Sequence, residues 1–198
     1  MESQQILQFW FGLASDNLTI ANQQAALWWS KDESVDTHMR DHYADWVRAA
    51  AQGELAHWQQ EPASYLALIL LLDQFPRNIY RGSAASFAHD AQALQLTQQG
   101  LANGIDQRLS PIQRVFFYLP LEHAEDQLAQ AQVVALLSAL EQSVTAPERN
   151  LFANYTSFAR RHQEVIQRFG RFPHRNAILG RHNTAAEIEY LQEPGAGF

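Results

Sequence analysis

"EPASYLALILLLDQFPRN", residues Glu61 to Asn78, decides how the rest of the chain is read. From Tyr65 to Leu72 it is apolar on every side, unlike an amphipathic surface helix or a half-buried strand. Pro62 suits the first turn of a helix, where its missing N–H is one the helix would leave unpaired anyway. The apolar run is far short of the roughly 18–20 residues that span a bilayer. It therefore predicts a buried helix at the centre of an all-α protein, covered on all sides by other helices. Pro76 is expected to end it, because proline disfavours helical geometry in the residue before it.

The flanking sequence supplies those other helices. Apolar residues recur at helical spacing on both sides, and nothing of useful length alternates at period two. Val35, Met39, Tyr43, Trp46, Val47 and Ala50 form one stripe, with Gly53 where a C-cap belongs. Asp90 is placed to cap "AQALQLTQQGLANG". "SPIQ" (110–113) reads as a capping box with proline at the first helical position, opening a helix expected to break at Pro120. A longer helix from Glu122 to Glu141 and another from Pro147 to Gly170 follow. "TAAE" (184–187) is a second capping box before the last. Short connections favour antiparallel hairpins, stacked as a bundle or short solenoid. With no linker-like stretch and no sequence period, residues 1–198 fit one domain.

Composition excludes several functions. Hydrophobic residues make up 46% and charged residues 18%, values of a globular rather than a disordered chain. There is no cysteine, which removes disulfides and thiolate metal sites and fits a reducing compartment. The start, "MESQQILQFWFG", lacks the basic and apolar regions of a secretory signal, so a cytoplasmic location without a membrane partner is expected. A net charge of -7 argues against a nucleic-acid partner. That charge is unevenly placed. Between Arg149 and Arg181 seven arginines face one acid, Glu164, so this segment carries +6 and the remainder -13. Arginine favours bidentate pairing with carboxylate or phosphate, so the segment suits either the acid-rich remainder or a small anion.

Two Phe-Pro turns carry the candidate residues. "DQFPRNIYR" (73–81) offers Asp73, Gln74, Arg77, Asn78 and Arg81 for ligand binding. Asp73 at the C-terminal end of the apolar helix faces the negative end of the macrodipole, at a cost of roughly 0.3–1 kcal/mol, and so requires a cation. "RFGRFPHRN" (168–176) offers Arg171, His174, Arg175 and Asn176. A short helix from Pro173 to Leu179 is expected there, with free N–H groups that suit an anion. Arg160, Arg161 and Arg168 have Glu164 at three- and four-residue spacing, which leaves Arg171 and Arg175 unexplained. "PLEHAEDQ" (120–127) places Glu122, Glu125 and Asp126 in the first turns of a helix, where the dipole favours carboxylates.

Glu122 joins the ligand-binding candidates; His123 and His174 are the candidate catalytic groups, able to act as general acid or base. His162 falls on an apolar stripe and is expected as a hydrogen-bonded core histidine. The same polar residues also have a purely structural reading, satisfying orphan backbone groups where helices break.

No motif calls for a cofactor. "HMRDH" (38–42) spaces two histidines at i, i+4 but lacks the glutamate of H-E-x-x-H. "ELAH" (54–57) is a lone E-x-x-H, whereas a carboxylate-bridged di-iron bundle uses two. No metal is therefore expected, although spacing alone leaves open whether Glu122, His123, His162 and His174 converge. There is no G-x-S-x-G and no glycine-rich phosphate loop.

"ILQFWFG" (6–12), "LALILLLDQFPRNIYRGSAASFAHDAQAL" (66–94), "FFYLPLEHAEDQ" (116–127) and "RFGRFPHRNAILGR" (168–181) together resemble a bacterial family, domain of unknown function 924. The resemblance runs from Ile6 to Phe198 and departs from the family pattern at Ala124, where a serine is usual. It implies an all-α fold similar to tetratricopeptide-like helical hairpins and transfers no activity. Two functions fit these residues. In one, Arg77, Arg171 and Arg175 hold a small anionic molecule between the two turns, Asp73 orients them, and His123 or His174 handles a proton. In the other, the chain is a non-catalytic scaffold that binds a peptide in an open apolar groove, a reading by fold analogy. The first requires the two Phe-Pro turns to meet in space and share one polar cluster.

Overall fold

The computed structural model describes residues 2–197, which contain no β-strand. In chain order the helices are α1 (Glu2–Phe11), α2 (Asn17–Trp29), α3 (Glu33–Ala51), α4 (Pro62–Leu72), α5 (Gln74–Ile79), α6 (Asp90–Ala102), α7 (Pro111–Glu122), α8 (Gln127–Ser143), α9 (Arg149–Phe169) and α10 (Ala185–Tyr190), with short 3-10 turns between some of them. Among the described residues no helix is long and apolar enough to cross a membrane.

Helix α4 is the centre. Every residue from Tyr65 to Leu72 is at most 3% exposed, as its apolar run requires. It packs against α1, α3, α6 and α7. In a solenoid each hairpin touches only its neighbours in sequence, so these contacts are those of a bundle wrapped on a central helix. Each large apolar side chain buried this way contributes roughly 1.5–3 kcal/mol. Gly100 in α6 permits one of the close approaches: a Cβ there would lie 2.5 Å from Phe117 and 3.1 Å from Tyr65. Aromatic side chains from α1, α2, α5 and α7 pack together beside α4. Trp10 lies 5.4 Å from Phe75 and 5.6 Å from Phe116, and Trp28 packs 4.5 Å from Phe116 while its Nε1–H donates to the Trp10 carbonyl. Trp29, next in sequence, points outward.

Several boundaries differ from the sequence reading, and the differences move the site. Helix α4 ends at Leu72, not at the residue before Pro76. Asp73 joins it to α5, and Pro76 is the third residue of that new helix, where a missing N–H is harmless. Pro120 does not break α7, which continues to Glu122. Helix α8 starts only after Asp126, whose side chain accepts from the Ala129 N–H at 2.8 Å. Glu122 and His123 therefore stand at the negative end of α7, not at the welcoming end of α8. Asp90 is the first residue of α6, with His89 in the capping position. After Pro173 there is a single 3-10 turn, Pro173–Arg175, rather than a helix to Leu179. The capping boxes at Ser110 and Thr184 and the left-handed Gly170 that ends α9 stand where the sequence places them.

Candidate functional site

The α4–α5 break turns Asp73 into the interior, where it is fully buried. Its carboxylate accepts from Gln74 Nε2 at 2.5 Å and from His123 Nδ1 at 2.7 Å, and Arg77 Nη1 lies 3.3 Å away. Arg77 also donates to the Asp73 carbonyl and forks onto Asp90 at 2.9 and 3.0 Å. Asp90 is then approached from the far end of the sequence by Arg175 Nη1 at 3.3 Å. The two Phe-Pro turns thus meet, about a hundred residues apart in sequence, on one carboxylate. Arg175 lies between two aromatic faces, its guanidinium carbon 4.7 Å from the Phe87 ring centre and 4.5 Å from that of Phe172.

Histidines line one flank. His162 on α9 has Nδ1 2.9 Å from the Phe158 carbonyl and 3.2 Å from Glu122 Oε1. A carbonyl only accepts, so Nδ1 of His162 carries the proton; the Asp73 carboxylate fixes His123 in the same way. His174 packs on Phe172 at 5.6 Å and completes the group.

Burial sets the charge states. It pushes Glu122 up to about 8, with help from the negative charge of Asp73, so this carboxyl keeps its proton at neutral pH. Burial also opposes ionisation of Asp73, but Arg77, then His123 and Gln74, outweigh it and hold that carboxyl below its ordinary value. Burial, then Arg77, lowers His123 despite Asp73. His162 falls to about 3, chiefly by burial, and His174 to about 4 by burial and then Arg175. Arg175 falls to about 10 through burial and the nearby Arg77, and stays charged. The cluster therefore holds two carboxylates, two guanidiniums and three uncharged imidazoles.

The other candidates hold the turns in place. Arg81 and Asn78 both donate to Asp36, Arg81 at 2.5 and 2.8 Å and Asn78 at 3.1 Å. Arg171 is taken up by Glu187 at 2.6 and 2.8 Å and by the His182 carbonyl. Asn176 donates to Asn183 and accepts from Arg181, which forks onto Glu125. Glu125 in turn accepts from the Phe172 N–H. Of the sequence candidates, Asp73, Gln74, Arg77, Glu122, His123, His174 and Arg175 come together; Asn78, Arg81, Arg171 and Asn176 do not join them. One participant was missed. Asp90 looked like an ordinary helix cap, and an acid in a first helical turn carries no mark of its long-range partners. His162 looked like a core histidine, which it also is.

The cluster is not fully sealed: the side chains of His123, Arg77 and Asp90 remain 15%, 18% and 19% exposed. A surface cavity of about 300 Å³ lies elsewhere, between α9 and the segment after α10, lined by Arg161, Arg168, Phe169, Tyr190 and Glu193. Among the described residues no group of three or more His, Asp or Glu side chains is placed to hold a metal ion.

An all-α bundle with a buried charge cluster where two Phe-Pro turns converge is the class of protein these features define. The chain belongs to the family described as bacterial protein of unknown function (DUF924), whose model matches residues 6–195. It is similar to a solved protein of unknown function from Agrobacterium tumefaciens, ATU0120, at 38% identity and a TM-score of 0.80, with 96% of this chain and 97% of that one covered. No curated protein matches the chain.

Proposed function

We propose that the chain is a cytoplasmic protein that binds a small oxyanion, a phosphate or carboxylate group, beside Arg175. One observation carries this reading. Arg175 is 7% exposed, and among the described residues its Nε–H has no hydrogen-bond acceptor. Its ion pair, at 3.3 Å, is with an Asp90 already engaged by both prongs of Arg77. A buried donor left without an acceptor costs about 1–3 kcal/mol, which a bound oxyanion would recover. The aromatic faces of Phe87 and Phe172 keep the guanidinium in position for it. The neighbouring imidazoles equip such a site for acid–base chemistry.

The test is thermal stability in inorganic phosphate. The melting temperature of the wild-type chain should rise with phosphate, and that rise should vanish in Arg175→Ala. A phosphate effect that survives in Arg175→Ala would overturn the assignment. The scaffold reading finds less support, since the large exposed apolar side chains, Leu13, Leu128, Phe158 and Ile188 among them, belong to different elements rather than to one helix face.

A further inference from the structure

Charge balance around Arg175 carries a second step. Asp73 and Asp90 already match Arg77 and Arg175 one for one. A bound oxyanion would therefore bring negative charge that the existing cations are already committed to balancing. Three uncharged imidazoles belong to the same cluster, and they are not equivalent. His162 turns Nδ1 toward a backbone carbonyl and the protonated Glu122, which are neutral partners. His123 turns Nδ1 toward the Asp73 carboxylate at 2.7 Å, the partner that best stabilises an imidazolium. With Nδ1 committed, its Nε2 is the atom left for a ligand, and its side chain, like those of Arg77 and Asp90, keeps some exposure to solvent.

Building on the anion site proposed above, we infer that oxyanion binding is coupled to uptake of a proton by His123, whose Nε2–H then donates to the ligand alongside Arg175. The Asp73–His123 pair is thereby the acid–base group of the site, and Asp73 acts as a positioning residue. The proton comes from solvent, passes to Nε2, and is returned when the ligand leaves. Around His123 stand Asp73 and Arg77 at the α4–α5 break, Asp90 on α6, Glu122 on its own helix, and His162 and His174 from α9 and the turn after it. Arg77 disfavours the imidazolium and the two aspartates favour it. Before the ligand arrives burial keeps the ring neutral, so the proton has to enter with the anion.

Sulfate is the probe, because it stays a dianion across the neutral range and releases no proton of its own. Calorimetric titration in two buffers of different ionisation heat should show uptake of about half to one proton per sulfate bound, with affinity falling as pH rises. In His123→Gln sulfate should still bind through Arg175, several-fold more weakly, with the uptake lost. Should that variant not fold, long-range proton–nitrogen spectra of the wild-type chain give the same answer: sulfate should convert His123 from its Nδ1–H form to the imidazolium. Binding without proton uptake, uptake that persists in His123→Gln, or a His123 ring unchanged by bound sulfate would each overturn this inference and leave the anion site standing. Absence of sulfate binding to the wild-type chain would remove both.

Discussion

At the first Phe-Pro turn Arg77 makes three hydrogen bonds, one to the Asp73 carbonyl and two to Asp90. At the second, Arg175 reaches the same Asp90 once, at 3.3 Å, and keeps an Nε–H without an acceptor among the described residues. In other respects the turns correspond. Phe75 and Phe172 are both fully buried anchors, and each asparagine ties its turn to a separate segment, Asn78 to Asp36 and Asn176 to Asn183. The backbone makes the difference. Arg77 lies one residue after a proline in the first turns of α5, whereas His174 is inserted between Pro173 and Arg175 in a lone 3-10 turn. A motif's residue types bring a cation to a place; the local backbone decides whether it arrives satisfied. One arginine arrives with its donors taken up, and the other keeps a buried Nε–H without an acceptor among the described residues.

The largest effect should come from Arg77. Its removal leaves the buried Asp73 carboxylate without its guanidinium and Asp90 with only the single contact from Arg175, so Arg77→Ala should cost about 3–5 kcal/mol in urea denaturation. Arg175→Ala leaves Asp90 still forked by Arg77 and should cost only about 1 kcal/mol. Equal losses in the two variants would erase the distinction between the turns.

The next test sharpens the comparison through pH. Glu122 titrates near its ordinary 4.5 in the unfolded chain and at about 8 in the fold. Between those values the unfolded chain has released a proton that the fold retains, so raising the pH favours unfolding, by up to about 1.4 kcal/mol per pH unit. This contribution is fully present below pH 4.5 and is lost as pH climbs through about 8. Glu122→Gln mimics the protonated group and should flatten the profile in that window while changing stability little at its acid end. A wild-type curve and a variant curve with the same slope would show that Glu122 is ionised in the fold.

The smallest effect marks the contrast with the surface. Arg168 and Glu193 approach to 3.6 Å but are about half exposed. Arg168→Ala should change stability by no more than about 0.5 kcal/mol. A loss approaching that of Arg77→Ala would mean that burial is not what separates the two kinds of pair.

How much of this was legible follows from range. Leu68, Leu70 and Leu72 could be assigned to the core because an unbroken apolar face has only one favourable fate. The capping boxes at Ser110 and Thr184 were legible because both partners lie within three residues. "PLEHAEDQ" misled, because its acids suit the start of α8 while Asp126 alone performs that role, and the last turn of α7 tolerates Pro120. Arg171 and Arg175 were equally unexplained in the sequence, yet Glu187 takes up the first, while the second reaches Asp90 and keeps an Nε–H without an acceptor among the described residues.

By itself, then, the sequence determined an all-α chain wrapped on the apolar helix that opens at Pro62, because periodicity and capping are short-range properties of neighbouring residues. It also determined that Asp73 had to find a cation. Which cation, and that Asp90 would receive arginines from both turns, was decided by the tertiary structure. Charge pairing acts between side chains whose separation in sequence, 85 residues for Asp90 and Arg175, carries no local trace. Only the packing of helices brings such groups within reach, and only burial then makes their balance matter.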